Sequence, residues 1–228
     1  MRGVRAREWA ALALPGTSAV LMLAAIEAAL VLAPTERVMG PLQRIFYFHL
    51  SDAIAAFAAF VVAFGASVAY LARGERRWDA LAVSAVEVGE LFSTLVLLTG
   101  MLWARMAWNT WWTWDPRLTT MLVLWLLYAG YLMLRASLED EARRARYAAV
   151  LAVLGFLDVP IVFMAIRWWR TIHPVLFDAS GAHMEPAMLA AVVVSLLAFI
   201  GLLATLLVAR VRLELLSGDV DELHRRLL

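Results

Sequence analysis

An all-α integral membrane protein, a bundle of six transmembrane helices, is the fold class this sequence predicts. Three observations carry that expectation. Hydrophobic residues make up 64% of the 228 and charged residues 17%, with a mean hydropathy of +0.78, against roughly half and a quarter in soluble domains. Six stretches (about 14–33, 53–72, 80–102, 118–136, 147–167 and 187–209) approach the roughly 20 apolar residues a helix needs to cross a bilayer. The twenty basic residues, all of them Arg, gather in the short segments between those stretches. No Cys is present, which removes disulfides, thiol catalysis, zinc–thiolate sites and iron–sulfur clusters.

Taken in order, the first span follows a positively charged start, Met1 to Arg7, of the kind a signal peptide carries. Five further spans follow it, so an uncleaved first helix is expected. The second and third spans are joined by a turn rich in Arg. The third carries Glu87 and Glu90, three apart and therefore on one face. The fourth opens on Asp115-Pro116, a good N-cap followed by a good first helical residue. The fifth contains Asp158 and Pro160, and the proline predicts a bend. The carboxylates of Glu27, Glu87, Glu90 and Asp158 are costly inside a bilayer unless paired or wet. Interhelical hydrogen bonding is preferred for them over a polar route or a partner-binding stripe.

Fourteen Arg fall on one side of this topology and six on the other. The excess marks the cytoplasmic side and places both termini there. The expected organisation is one membrane domain over 1–209, with outer loops at 34–52, 103–117 and 168–186. A cytoplasmic amphipathic tail occupies 210–228, where Asp219, three residues before Glu222, suits a helix cap.

Chemistry concentrates in the outer loops. Trp103, Trp108, Trp111, Trp112 and Trp114, half of all the Trp, lie within twelve residues. Membrane–water interfaces attract Trp, which accounts for Trp9, Trp78 and Trp125. It does not account for five on one loop, whereas a large flat apolar ligand would need such a platform. Asp115 has two open readings, helix cap or ligand contact. Arg117 sits in a first helical turn, where a cation is disfavoured unless an anion lies nearby. The first outer loop ends in Arg44-Ile-Phe-Tyr-Phe-His49, and the third begins Arg167-Trp168-Trp169-Arg170-Thr-Ile-His173. Two neutral imidazoles on one side suit the axial positions of haem iron. A bare zinc ion would want three or four protein ligands. Arg44, Arg117, Arg167 and Arg170 are out of place in outer loops, and Arg matches carboxylates such as propionates; snorkelling from helix ends is the alternative for each.

These segments together resemble the CcmC family, the haem-handling protein C of cytochrome c maturation. Trp103, Trp108, Thr110, Trp111, Trp112, Trp114, Asp115, Arg117, Leu118 and Thr119 resemble its Trp-rich signature, preceded by Thr99-Gly100. Arg44 to His49 resembles the segment ending in the first axial His. Val159-Pro160-Ile161 and then Trp168 to His173 resemble the segment ending in the second. The likeness runs over about 40–185. The chain departs from the pattern after His49, where Leu50-Ser51-Asp52 replaces a Pro-containing run. Asn109 stands where Gly is common, and Pro174 replaces a more polar residue. Asp52 suits either a cap of the second span or a hydrogen bond to His49.

The resemblance implies non-covalently bound haem b at the outer, periplasmic face of the inner membrane. His49 and His173 would be the axial ligands, with His183 the alternative second one. Trp103, Trp108, Trp111, Trp112, Trp114 and Asp115 would hold the ring, and Arg117, Arg44 and Arg170 the propionates. The implied partners are a membrane-anchored haem chaperone and the ATP-binding and permease subunits of a transporter-like complex. No phosphate-binding loop is present, so ATP hydrolysis belongs to a partner and the chain is expected to be a carrier rather than an enzyme. Two rivals stand beside this reading: a haem b quinone oxidoreductase subunit, which needs no Trp-rich outer loop, and a permease subunit without cofactor.

Overall fold

The computed structural model describes residues 2–174, 177–178, 181–182 and 184–227. The side chain of Trp9 and the whole of His183, the alternative ligand, lie outside what is described. Among the described residues, seven α-helices follow one another: α1 (Arg2–Glu27), α2 (Arg44–Arg73), α3 (Arg76–Trp108), α4 (Pro116–Ser137), α5 (Glu141–Phe156), α6 (Asp158–Trp168) and α7 (Pro186–Leu227). A π-helical turn, Ala28–Leu32, closes α1, and a two-residue ladder pairs Phe177–Asp178 with Gly181–Ala182. Among the described residues, six helical stretches are long and apolar enough to cross a membrane, with α5 and α6 together forming the fifth. The protein is an all-α membrane bundle, as its hydropathy predicts.

The bundle is built around the α2–α3 hairpin, whose interface is made of small residues. Ala55, Ala56, Ala59 and Ala63 of α2 and Ala85 of α3 are wholly buried. Small side chains let two backbones approach closely, which is what drives helix association where lipid removes the hydrophobic incentive. Gly89 marks the tightest point: a Cβ there would lie 2.7 Å from the Phe60 ring. Phe60 in turn stacks on Tyr128 of α4, with centroids 3.9 Å apart and planes 6° from parallel. Buried hydroxyls return their protons to their own helix, Ser51 to the Tyr47 carbonyl and Ser84 to that of Ala80, both at 2.7 Å. Such bonds satisfy these two hydroxyls within an apolar interior. The outward faces stay apolar, with Val61, Leu91, Leu126 and Leu197 about half exposed, and lipid covers them.

Several boundaries differ from the hydropathy reading. Helix α2 begins at Arg44 rather than 53, so His49 lies in its second turn and not in a connecting loop. The reason is Tyr47, wholly buried, whose hydroxyl accepts from the Gln43 amide at 2.6 Å; it anchors a turn that hydropathy alone does not register. Helix α3 likewise runs on through Trp108, leaving 109–115 as the actual connection. Asn109 ends it with φ +56°, a left-handed geometry that Asn tolerates better than most residues, so it fills the place of the family's usual Gly. The fifth span breaks at Leu157, because Pro160 has no N–H to donate to the Phe156 carbonyl. Helix α7 continues through the region where the sequence predicts that Asp219 caps a new helix, and Asp219 instead pairs with Arg76 at 3.0 Å.

The carboxylates sort differently from one another. Glu87 pairs with Arg210 of α7, which also holds Glu214 at 2.9 Å. Glu90 is 8% exposed and accepts from Ser93 of its own helix at 3.3 Å, so its hydrogen bond is intrahelical. Glu27 is exposed, at the last position of α1. One oxygen of Asp158 is buried without a partner. Trp125 is no interface residue either: it lies ten residues into α4 and donates to Thr94 of α3 at 2.8 Å. Trp78, at the α2–α3 turn, does sit at a helix end, flanked by the guanidinium groups of Arg73 and Arg77 at 5.6 and 5.2 Å.

Candidate functional site

The ends of α2, α3, α4 and α6 enclose a cavity of about 210 Å³. His49 and His173 both line it, together with Trp103, Trp108, Trp112, Arg117 and Arg167. Its remaining walls are largely apolar, including Phe46, Phe57, Met101 and Met121.

Each imidazole is held by its Nδ1. His49 Nδ1 lies 2.8 Å from the Thr99 hydroxyl. That hydroxyl has a single proton, which it gives to the Leu95 carbonyl at 2.7 Å. It can therefore only accept from the imidazole, so Nδ1 carries the proton and Nε2 keeps its lone pair. Gly100 makes room for the ring, since a Cβ there would lie 3.3 Å from His49 Cε1. Asp52 neither caps α2, being nine residues into it, nor partners His49; it is 2% exposed and one of its oxygens is unpaired. His173 reaches the same protonation by another route: its Nδ1 donates to the Pro174 carbonyl at 3.3 Å. Burial first, and the positive field of Arg117 second, push the His173 imidazole down to about 4, so it is neutral at ordinary pH. Two lone-pair nitrogens are thus presented to one apolar space.

Asp115 ties the Trp-rich connection to the His173 segment. One carboxylate oxygen caps α4 by accepting from the Arg117 amide at 3.0 Å. The other accepts from the Thr171 hydroxyl at 2.6 Å and the Ile172 amide at 3.0 Å. Thr171 Oγ1 then accepts from the His173 amide at 3.0 Å. Asp115 is therefore a cap and a clasp at once, and it does not line the cavity itself. Across the mouth, Glu36 accepts from the amides of Val38 and Met39 at 2.7 and 2.5 Å, which sets Met39 on the cavity rim. The Met39 amide above all holds the Glu36 carboxyl below its ordinary range.

The Trp residues divide. Trp103 and Trp108 meet edge to face with centroids 4.9 Å apart, and Trp112 meets Trp114 the same way at 5.8 Å. Trp112, which lines the cavity, has a buried Nε1 with no hydrogen-bond partner among the described residues, a donor still in want of an acceptor. Trp111 and Trp114 do not line the cavity and are 56% and 75% exposed. The connection 109–115 is too extended to aim successive rings the same way, and Trp111 turns out beneath Arg105, 6.0 Å from its guanidinium.

The Arg residues divide too. Arg117 lines the cavity as expected, but Arg44 does not: its guanidinium donates to the Ala29 and Leu30 carbonyls of the π-helical turn, which a regular helix end would leave open. Arg170 is exposed and off the cavity. The second cation is Arg167 instead, in the last turn of α6, a position its α6 register could have indicated. Among the described residues neither Arg117 nor Arg167 forms an ion pair, so an anion would be welcome there. Also among the described residues, no three His, Asp or Glu side chains gather as a bare metal ion would require. A planar ligand that brings its own in-plane donors, offers two axial positions and bears carboxylates fits this set of groups.

Comparison with known proteins supplies the family. The sequence profile of the family described as heme exporter protein C matches residues 4–226. The heme exporter protein C of Bradyrhizobium diazoefficiens is 34% identical over 195 residues, covering 85% of this chain and 74% of that protein. Its namesake in Escherichia coli K12 is 34% identical over 185 residues, covering 79% and 73%. That of Haemophilus influenzae is 31% identical over 205 residues, covering 88% and 82%. With the profile spanning nearly its whole length and relatives this similar across most of theirs, the chain belongs to the heme exporter protein C family.

Proposed function

We propose that this protein binds haem b non-covalently at its outer face and hands it to a membrane-anchored haem chaperone during cytochrome c maturation. The observation that carries this reading is the pair of Nε2 lone pairs, His49 and His173, presented to one apolar cavity with unpaired Arg117 and Arg167 on its wall. The names of its relatives support a role in haem export. A further relative, a mitochondrial protein of Marchantia polymorpha, is named as a putative cytochrome c biosynthesis protein and is 28% identical over 158 residues.

On this reading both termini and the 210–228 tail face the cytoplasm, and the cavity faces the periplasm. The indoles of Trp103, Trp108 and Trp112 stack on or flank the macrocycle. Arg117 and Arg167 grip the propionates, in place of the Arg44 and Arg170 that the sequence suggested. The chain acts by coordination and release, and the ATP-binding and permease partners supply any driving force.

The test is an absorption spectrum of the detergent-purified protein after hemin addition. A low-spin Soret and visible spectrum is expected, shifted to high-spin by either His49→Ala or His173→Ala and unchanged by His183→Ala. Loss of the low-spin signature in His183→Ala but not in His173→Ala would transfer the second ligand to His183.

A further inference from the structure

The cavity has a side as well as a mouth. The break at Leu157 changes what the fifth span packs against: α5 lies on both α2 and α4, whereas α6 keeps its packing on α4 and draws away from α2. Between α2 and α6 this leaves a groove of about 420 Å³ whose lining residues are all apolar. It is walled by Phe57, Ala58 and Val61 on α2 and by Pro160, Phe163 and Met164 across from them. Two of these, Phe57 and Phe163, also line the histidine cavity, so the two spaces share a wall made of two aromatic side chains. Phe163 and Val61 are 54% and 52% exposed on the membrane-facing surface.

We propose that this groove is a side portal through which a flat apolar ring with an anionic edge moves between the bilayer and the cavity, Phe57 and Phe163 turning aside to admit it. The inference rests on the haem reading above, because the ligand is the same. An apolar passage costs little for a ring already dissolved in lipid, whereas polar walls would have to be desolvated. The carboxylates need not cross the apolar part, since Arg117 and Arg167 stand on the cavity wall to receive them. Two aromatic side chains can rotate without moving a helix, and the free carbonyl beside Pro160 lets α6 flex against α5 where more room is needed.

The experiment uses the full chain in lipid vesicles, with iron-free protoporphyrin delivered from donor vesicles and followed by quenching of Trp fluorescence. Ala58→Phe and Val61→Phe fill the groove without touching the histidine cavity, and Val68→Phe adds the same ring to α2 beyond the groove. Both filling variants are expected to slow uptake roughly tenfold, as when association must wait on a rearrangement, with the final extent of quenching unchanged. Val68→Phe is expected to match the parent protein. Val61, being half exposed, keeps the test informative should Ala58→Phe fail to fold. Equal uptake rates in the parent protein and both filling variants would overturn the portal and leave the groove to lipid acyl chains only, as would an absence of porphyrin uptake by the parent protein. Failure of the haem reading is recognised separately, by hemin spectra that His49→Ala and His173→Ala leave unchanged.

Discussion

The two cavity histidines are held in opposite ways. His49 stands on α2 within the tightest interface of the bundle, and its one side-chain partner, Thr99, belongs to the helix packed against it. His173 stands past the end of α6, outside any helix, and is fixed by hydrogen bonds running from Asp115 through Thr171. Packing sets the first and hydrogen bonding sets the second. A helix interface cannot yield locally without disturbing the bundle, whereas a loop held by a few hydrogen bonds opens at a cost of a few kcal/mol. In the proposed haem complex, the loop-borne histidine is the one that would let go first.

Removing the Asp115 clasp tests this difference most severely. Asp115→Ala leaves the part-buried Ile172 amide and Thr171 hydroxyl without their acceptor, a loss of about 0.5–1.5 kcal/mol for each hydrogen bond. Hydrogen exchange of the Ile172 and His173 amides is expected to quicken by at least roughly tenfold, with α2 and α3 amides unchanged. Equal protection in the variant would mean that His173 is held by packing after all.

Acidification makes a smaller and reversible change. The His173 pKa falls from an ordinary 6.5 to about 4 in the fold. An unfolded chain therefore binds the proton first, and the stability His173 contributes as a neutral group is intact above about 6.5 and lost as pH falls toward 4. Hemin affinity is expected to hold down to about pH 5 and to weaken as protons compete for Nε2. A spectrophotometric titration with the His173→Ala variant alongside separates this site from the remaining carboxylates.

Thr99→Val should have the mildest effect. It removes the acceptor that fixes the His49 tautomer but keeps the shape of the side chain, so helix packing is preserved. The loss is that of one hydrogen bond, about 0.5–1.5 kcal/mol, and Thr99→Ser should restore it. Nitrogen chemical shifts of His49 in the ligand-free protein report the tautomer directly, and a shift pattern unchanged by Thr99→Val would show that Thr99 is a bystander.

Much of the fold is legible in the sequence because a bilayer imposes a single strong rule. Six apolar stretches, the Asp115-Pro116 start of α4 and the proline break of the fifth span all stand out in the order of residues alone. The helical extensions do not: residues 44–52 and 103–108 carry Arg, Tyr and Trp, which lower hydropathy without lowering helix stability. Within the site, residue type and sidedness suffice to select His49, His173, Trp103, Trp108, Trp112 and Arg117. On those grounds Arg44 and Arg170 are indistinguishable from Arg167. What separates them is an open π-turn beside Arg44 and the end of α6 beside Arg170, both matters of backbone geometry. Trp111 and Trp114 mislead for a related reason, since neighbours in an extended segment face different ways.

Gly100 governs the aim of the His49 imidazole. With a hydrogen atom where other residues carry carbon, it gives the His49 imidazole clearance on one edge. Alanine at that position would crowd the ring by a few tenths of an ångström and swivel it about its own Cβ. This glycine thereby acts as an alignment stop, and an engineer wishing to re-aim His49 Nε2 would begin by changing a residue with no side chain of its own.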